Sequence, residues 1–210
     1  MAAVNEHIVR EYFELHGFFV RQQRKFVAPA RHEEDEIDFL VVNPRARPGD
    51  AALPFVLNSS DLAGIARAVV AIKAYHTGIF RPSMLANTPE IYRFVEPEVF
   101  QPAARAFGKE NQPTKILVIP ALPAGAEARQ QSIDILQSKG IDAVLPFRTV
   151  LADLIAHVQV NRNYQKSDVL QMIRLLKHYD FFREPQLELF KSKNLRKSRP
   201  TEDTQPAQPA

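Results

Sequence analysis

The chain contains no cysteine, and only seven of its 210 residues are glycine. The lack of cysteine excludes disulfides, thiolate zinc sites and cysteine nucleophiles. The glycines are scattered and form neither nucleotide-binding fingerprint, so no glycine-rich phosphate loop is predicted. The G-x-S-x-G turn of serine hydrolases is also absent. These absences leave acid–base or metal chemistry on carboxylates, lysines and histidines, or a function without catalysis.

Long apolar runs are missing as well. No stretch approaches the roughly 18 residues of a membrane span, so no membrane partner is predicted. Residues 1–17 carry several charges and have no apolar segment of the kind found in signal peptides, which predicts a cytoplasmic protein. A hydrophobic content of 45% is enough for a core, and the length fits one domain of ordinary size.

The excess of positive charge is confined to one end of the chain. The net charge is +3, and residues 191–210 contain five basic and two acidic side chains. The rest of the chain therefore carries 22 basic and 22 acidic residues, out of totals of 27 and 24. A neutral body is not typical of a domain that binds nucleic acid tightly by charge alone.

The periodicity of apolar residues predicts alternating helices and strands. The predicted helices cover 4–19 (with Asn5 as cap and Gly17 as stop), 88–107 (interrupted at Pro97 and Pro102), 127–139, 149–160, and a last helix from the cap Ser167 to Tyr179. The predicted strands are 18–27, a strand ending at Val42, 67–75 after a turn at 59–66, 115–119 and 141–147. This order predicts an α/β fold around a mixed sheet in residues 1–183, with a disordered tail over 184–210.

Two apolar strands each contain a charge. Residues 33–42 read EEDEIDFLVV and place Asp38 in the strand, and residues 68–76 read AVVAIKAYH and place Lys73 in the next one. Unpaired charges are costly to bury. The sequence therefore predicts either that Asp38 and Lys73 pair with each other or that they belong to one metal-dependent site.

This arrangement of elements and charges resembles the PD-(D/E)XK superfamily over roughly residues 4–147. The resemblance implies a three-layer, restriction-endonuclease-like fold in which two carboxylates bind Mg²⁺ and a lysine activates water for phosphodiester cleavage. Asp38 and Lys73 match the family's aspartate and lysine. The chain departs from the pattern at Ala71, where the family has a second acid two residues before the lysine.

Two interpretations of this departure stay open. In the first, a Mg²⁺-dependent deoxyribonuclease keeps its metal on Asp38 and Glu36, which would share one face of a regular strand. Glu6 or Glu11 of the first helix could also approach, so the candidate catalytic residues are Asp38, Lys73, Glu36 and Glu11. In the second, the site is degenerate, binds no cofactor, and retains an ion pair between Asp38 and Lys73. His76 is expected to be structural in both.

The tail contains a short motif. Residues 186–190, QLELF, resemble the pentapeptide with which bacterial replication and repair proteins bind the sliding clamp. The resemblance implies that Gln186 anchors by hydrogen bonds while Leu187, Leu189 and Phe190 fill a groove. Alternatively, these apolar side chains pack back on the body as the end of the last helix.

The segment after the motif is basic. The candidate phosphate contacts are Lys191, Lys193, Arg196, Lys197 and Arg199, which would bind DNA without sequence preference. Their alternative role is to keep the tail soluble. Together the observations predict a bacterial DNA-maintenance protein that binds DNA and the sliding clamp. The alternative prediction is a non-enzymatic module that binds protein or DNA on the same fold.

Overall fold

The computed structural model describes residues 2–22, 36–47, 52–74, 76, 78–108 and 112–182. Its helices are α1 (Ala2–Leu15), α2 (Pro82–Asn87), α3 (Pro97–Arg105), α4 (Ala126–Ser138), α5 (Phe147–His157) and α6 (Asp168–His178). Its strands are β1 (Phe19–Gln22), β2 (Phe39–Val42), β3 (Arg67–Ile72), β4 (Thr114–Ile119) and β5 (Ala143–Pro146). Short 3₁₀ turns cover Ser59–Gly64, Pro89–Ile91 and Arg93–Val95.

The strands form one mixed sheet in the order β1-β2-β3-β4-β5. The first three strands are antiparallel neighbours, whereas β4 pairs parallel to β3 and β5 parallel to β4. The parallel strands need crossover connections, which α2 and α3 provide before β4 and α4 provides before β5. The predicted α/β fold with a mixed sheet is confirmed.

Helices cover both faces of the sheet. Buried side chains of α1, α5 and α6 pack on one face, which we call the α1 face, and meet residues such as Val70, Val118 and Leu145. Buried side chains of α2, α3 and α4 pack on the other face, the α4 face, and meet Ala71 and Leu117. Four consecutive positions of β4 are apolar and buried. Because successive side chains of a strand point to opposite faces, these positions contribute to both cores.

Several predicted boundaries are confirmed within one or two residues, including β4, α4 and the start of α6. The Ser167 side chain caps α6 by accepting a hydrogen bond from Leu170 N at 3.2 Å. Gly17 follows the end of α1 with φ of +82°, a conformation that glycine adopts at little cost.

Three parts of the structure differ in detail from the predictions. Over 88–107 the structure has two 3₁₀ turns followed by the short α3. The predicted interruption at Pro97 is confirmed, since α3 begins there, whereas Pro102 lies inside α3 without ending it. Asn5 is not a cap: α1 begins at Ala2, and Asn5 is a buried side chain within it. The helix α2 was not predicted, since its six residues are too short for a periodic pattern.

Within the described ranges, no helix combines the length and apolar character needed to cross a membrane.

Candidate functional site

The strand that carries Asp38 is irregular at its start. Phe39 faces Val70 in the register of β2 and β3, yet the N–H of Asp38 also donates to Val70 O at 3.0 Å. Two residues of one strand thus face one residue of the other, which is a β-bulge. Side-chain alternation is broken there, and Ile37 and Leu40, three residues apart, pack in the same core.

The bulge gives the Asp38 side chain a backbone partner. In a regular ladder, the N–H of Ile72 would bond to a carbonyl of the neighbouring strand. Here it donates to Asp38 Oδ2 at 2.6 Å. This charge-assisted hydrogen bond ties the beginning of β2 to the end of β3 and places the carboxylate beside the backbone of the residue before Lys73.

Lys73 pairs with Glu36. Lys73 N donates to Val118 O at 3.0 Å, which fixes the lysine at the end of β3, and its Nζ lies 2.5 Å from Glu36 Oε2. The Glu36 side chain is 4% exposed and the Lys73 side chain is 16% exposed. The pair is therefore largely removed from water, and each charge depends on the other.

Arg93 completes this cluster from the α4 side of the sheet. Its Nη1 lies 3.8 Å from Glu36 Oε1, and its side chain is 38% exposed. Glu36 thus lies between two cations, of which Lys73 is the less exposed and Arg93 the more exposed. Arg93 was not predicted as part of the site, because it lies in a 3₁₀ turn far along the chain and belongs to no motif.

The predicted pairing of Asp38 with Lys73 needs correction. Among the described residues, the ion pair of Lys73 is with Glu36, while Asp38 accepts the strand N–H next to it. Glu36 and Asp38 would share one face only in a regular strand, but β2 begins at Phe39 and a bulge precedes it. A buried lysine does require an acid, as predicted, and the fold supplies Glu36.

The acids of the first helix lie on another part of the fold. Glu6 Oε2 accepts a hydrogen bond from Gln22 Nε2 at 2.6 Å, at the end of β1. Glu11 is half-buried on α1, whose buried side chains belong to the α1 face. Neither position brings a carboxylate to the pair of Glu36 and Lys73.

The position of the missing acid is filled by apolar packing. Ala71 is fully buried in the core of the α4 face, among residues such as Val69 and Leu117. A carboxylate at this position would lose its hydration and would need a cation or a metal to offset that cost.

The donors of the cluster do not fit Mg²⁺ as they are arranged. Mg²⁺ uses one or two carboxylates together with waters and phosphate oxygens. Glu36 is already neutralised by Lys73 and Arg93, and Asp38 accepts a backbone N–H. In the part of the chain that the structure describes, no three His, Asp or Glu side chains are grouped so that they could hold a metal ion.

His76 lies just beyond Lys73 on the same edge of the sheet. Its Nε2 is 2.7 Å from Asn5 Oδ1, and its ring packs edge-on against Phe147 with centroids 4.8 Å apart. Asn5 Nδ2 also donates to Ala74 O at 3.4 Å. The contacts of His76 are thus with α1 and α5, away from Glu36.

The candidate tail residues Gln186, Leu187, Leu189 and Phe190, and the basic residues between 191 and 199, lie outside the described residues.

Comparisons with family models, with curated proteins and with solved structures gave no match to this chain. The geometry of the cluster and the sequence therefore carry the functional argument.

Proposed function

We propose that the protein acts in DNA maintenance, with a restriction-endonuclease-like domain that binds DNA and no longer cleaves it. The observation that carries the proposal is the pair of Lys73 and buried Glu36 across the start of β2 and the end of β3. It occurs in a sheet whose antiparallel β1–β3 and parallel β4 follow α1 in the order that the resemblance implies.

The loss of cleavage follows from the chemistry of this cluster. A metal-dependent nuclease needs carboxylates that remain open to the ion, and a lysine close to the attacking water. Here Lys73 neutralises Glu36, and Ala71 stands where the second acid is expected. The cluster then serves to tie the start of β2 to the end of β3.

DNA binding is tested by fluorescence anisotropy of the full-length protein with single-stranded, nicked and branched DNA. We expect binding in EDTA, where no Mg²⁺ is available, a fall in affinity with added salt, and intact DNA after incubation with Mg²⁺ or Mn²⁺. If none of these DNAs binds at low salt, the proposed function is wrong.

Two substitutions separate the degenerate site from an active one. Asp38→Asn keeps an oxygen that can accept the N–H of Ile72, so it removes charge with little disturbance of the strand. If the parent cleaves DNA with Mg²⁺, and both Asp38→Asn and Lys73→Met abolish cleavage while remaining folded, the protein is an active nuclease and the loss of cleavage is refuted.

The tail would hold the domain on replicating or repaired DNA. We propose that residues 186–190 bind the bacterial sliding clamp and that the basic residues after them contact the DNA that the clamp encircles. The support is the motif itself and the positive charge that follows it.

A second candidate function is a non-enzymatic interaction module. Its support is the apolar surface of α6, where Met172, Leu175 and Tyr179 recur at helical spacing and are 57%, 38% and 68% exposed. Phe181, just after the helix, is 73% exposed. The simplest partner for this surface is a second copy of the chain, which sedimentation velocity of the parent and of Leu175→Lys would detect. This function is supported if the parent self-associates, the substitution abolishes the self-association, and the protein binds none of the DNAs.

A further inference from the structure

A groove of about 520 Å³ opens at the carboxyl edge of the parallel strands. Its lining comes from the segments that follow β3, β4 and β5, including Ile79, Pro120 and Leu151. Phe80 N donates to Ala121 O at 3.0 Å and joins two of these segments. Ligands of open α/β sheets bind at this edge, and the volume lies in the range of about 300–1,000 Å³ that is usual for ligand sites.

Most of the groove is apolar, and part of that apolar surface is open to water. Ile79 is 41% exposed, and Leu151 and Ile155 continue the wall along α5. Covering an exposed aliphatic side chain beside a concave apolar wall with a flat apolar group removes apolar surface from water, which favours binding of that group.

Two polar side chains stand in this groove. Arg148 is exposed, and no carboxylate of the described residues lies within ion-pair distance of it. His76 is held in place by Asn5, which is 8% exposed. Because the Asn5 amide donates to Ala74 O, its Oδ1 accepts from His76 Nε2, and in a neutral imidazole with Nε2 protonated the other ring nitrogen, Nδ1, is an acceptor.

These features describe a ligand with three parts. An unpaired arginine attracts an anion such as phosphate. The apolar wall takes a flat ring, and the histidine can accept a hydrogen bond from an exocyclic amine or a ring N–H. A nucleotide combines an anion, a flat ring and such donors in one unit.

We propose that this groove binds one unstacked nucleotide of a single-stranded nucleic acid, with its phosphate on Arg148 and its base against Ile79 and Leu151. The proposal rests on the proposed function and names its substrate class. Bases inside a duplex are stacked on both sides and cannot reach the wall, whereas single-stranded bases can. The groove follows β3 and β4, so it lies on the same edge of the sheet as Lys73.

The test compares groove variants with matched controls in the full-length protein. The probe is a fluorescent oligothymidylate of 15 nucleotides, with the same strand unlabelled, an unlabelled duplex and thymidine monophosphate as competitors. Arg148→Ala is compared with Arg47→Ala, which removes the same charge from the loop after β2, at the opposite edge of the sheet. Ile79→Ser is compared with Val160→Ser, another exposed apolar residue, at 37% exposure.

We expect Arg148→Ala and Ile79→Ser each to weaken binding about five- to tenfold, and the two controls to change it less than twofold. Loss of one phosphate contact should also lower the slope of log affinity against log salt by about 0.7 for Arg148→Ala. Stronger competition by thymidine monophosphate than by the duplex would show that the groove accepts a free nucleotide as well as a strand.

Different results overturn the two proposals. If the oligothymidylate binds but Arg148→Ala behaves like Arg47→Ala, or the duplex competes as well as unlabelled single strand, the groove proposal is wrong and DNA binding stands. If neither single-stranded nor duplex DNA binds, the proposed function fails, and the groove proposal fails with it. Circular dichroism checks that each variant is folded.

Discussion

The buried pair of Glu36 and Lys73 makes an asymmetric prediction about stability. Lys73→Met leaves the Glu36 carboxylate, which is 4% exposed, with Arg93 as its remaining cation among the described residues, and the Arg93 nitrogen is 3.8 Å away, beyond hydrogen-bond range. Removing one partner of a buried pair costs about 3–5 kcal/mol. Arg93 is more than a third exposed and offsets little of this cost, since water screens its charge.

The opposite substitution should cost less. Glu36→Gln leaves Lys73 without its anion, but the lysine side chain is 16% exposed, and its flexible stem can carry the ammonium toward water. The remaining loss is that of a charge-assisted hydrogen bond, about 1–3 kcal/mol. The double variant removes both charges, so its cost should be smaller than the sum of the two single costs by at least about 1 kcal/mol.

Urea unfolding followed by circular dichroism measures the free energies of unfolding of the two single variants and the double variant. An equal dependence of this free energy on urea concentration shows that the variants expose the same surface on unfolding. The control is Arg10→Met, which breaks the exposed ion pair with Glu14, and we expect a change below about 1 kcal/mol. Equal costs for the two single variants, or costs that add within about 0.3 kcal/mol in the double variant, would refute the argument from burial.

Three further predictions concern other parts of the chain. Asp38→Ala should lower the free energy of unfolding by about 1–3 kcal/mol, because the N–H of Ile72 loses its acceptor, and Asp38→Asn should lower it by less; equal urea midpoints for the two would contradict this. Burial raises the pKa of Tyr12 to about 12, against a hydrogen bond from its hydroxyl to Ser59 that lowers it. The neutral Tyr12 therefore stabilises the folded state fully below pH 10, and about 3 kcal/mol of this stabilisation is lost as the pH rises from 10 to 12. The free energy of unfolding should fall less steeply over this pH range in Tyr12→Phe than in the parent, and equal slopes would contradict the prediction. For the tail, a peptide of residues 184–192 should bind the sliding clamp in a calorimetric titration and lose most of its affinity when Leu189 and Phe190 are both replaced by alanine, whereas equal binding would remove the clamp from the proposal.

Local patterns in the sequence predicted most of the longer helices and strands. The apolar run at β4 predicted a strand covered on both faces, and both cores do use it. The serine before α6 predicted a cap, and Ser167 makes that hydrogen bond. These features depend on residues within one turn or one strand, so they can be predicted from residues that are adjacent in the sequence. That Lys73 has an acidic partner could also be predicted from the sequence, because a lysine in an apolar segment requires a compensating charge when the segment is buried.

Which acid meets Lys73 was decided by tertiary structure. The choice depends on a bulge at Asp38, which exists only because β3 is positioned to receive a second N–H on the carbonyl of Val70. The bulge shifts the residues before β2 by one place, and the strict alternation that the sequence suggested no longer applies. Arg93 and the groove at the carboxyl edge likewise bring together segments that are far apart in the chain. Such long-range contacts depend on how whole strands and helices pair and pack, which the local pattern of residues does not predict.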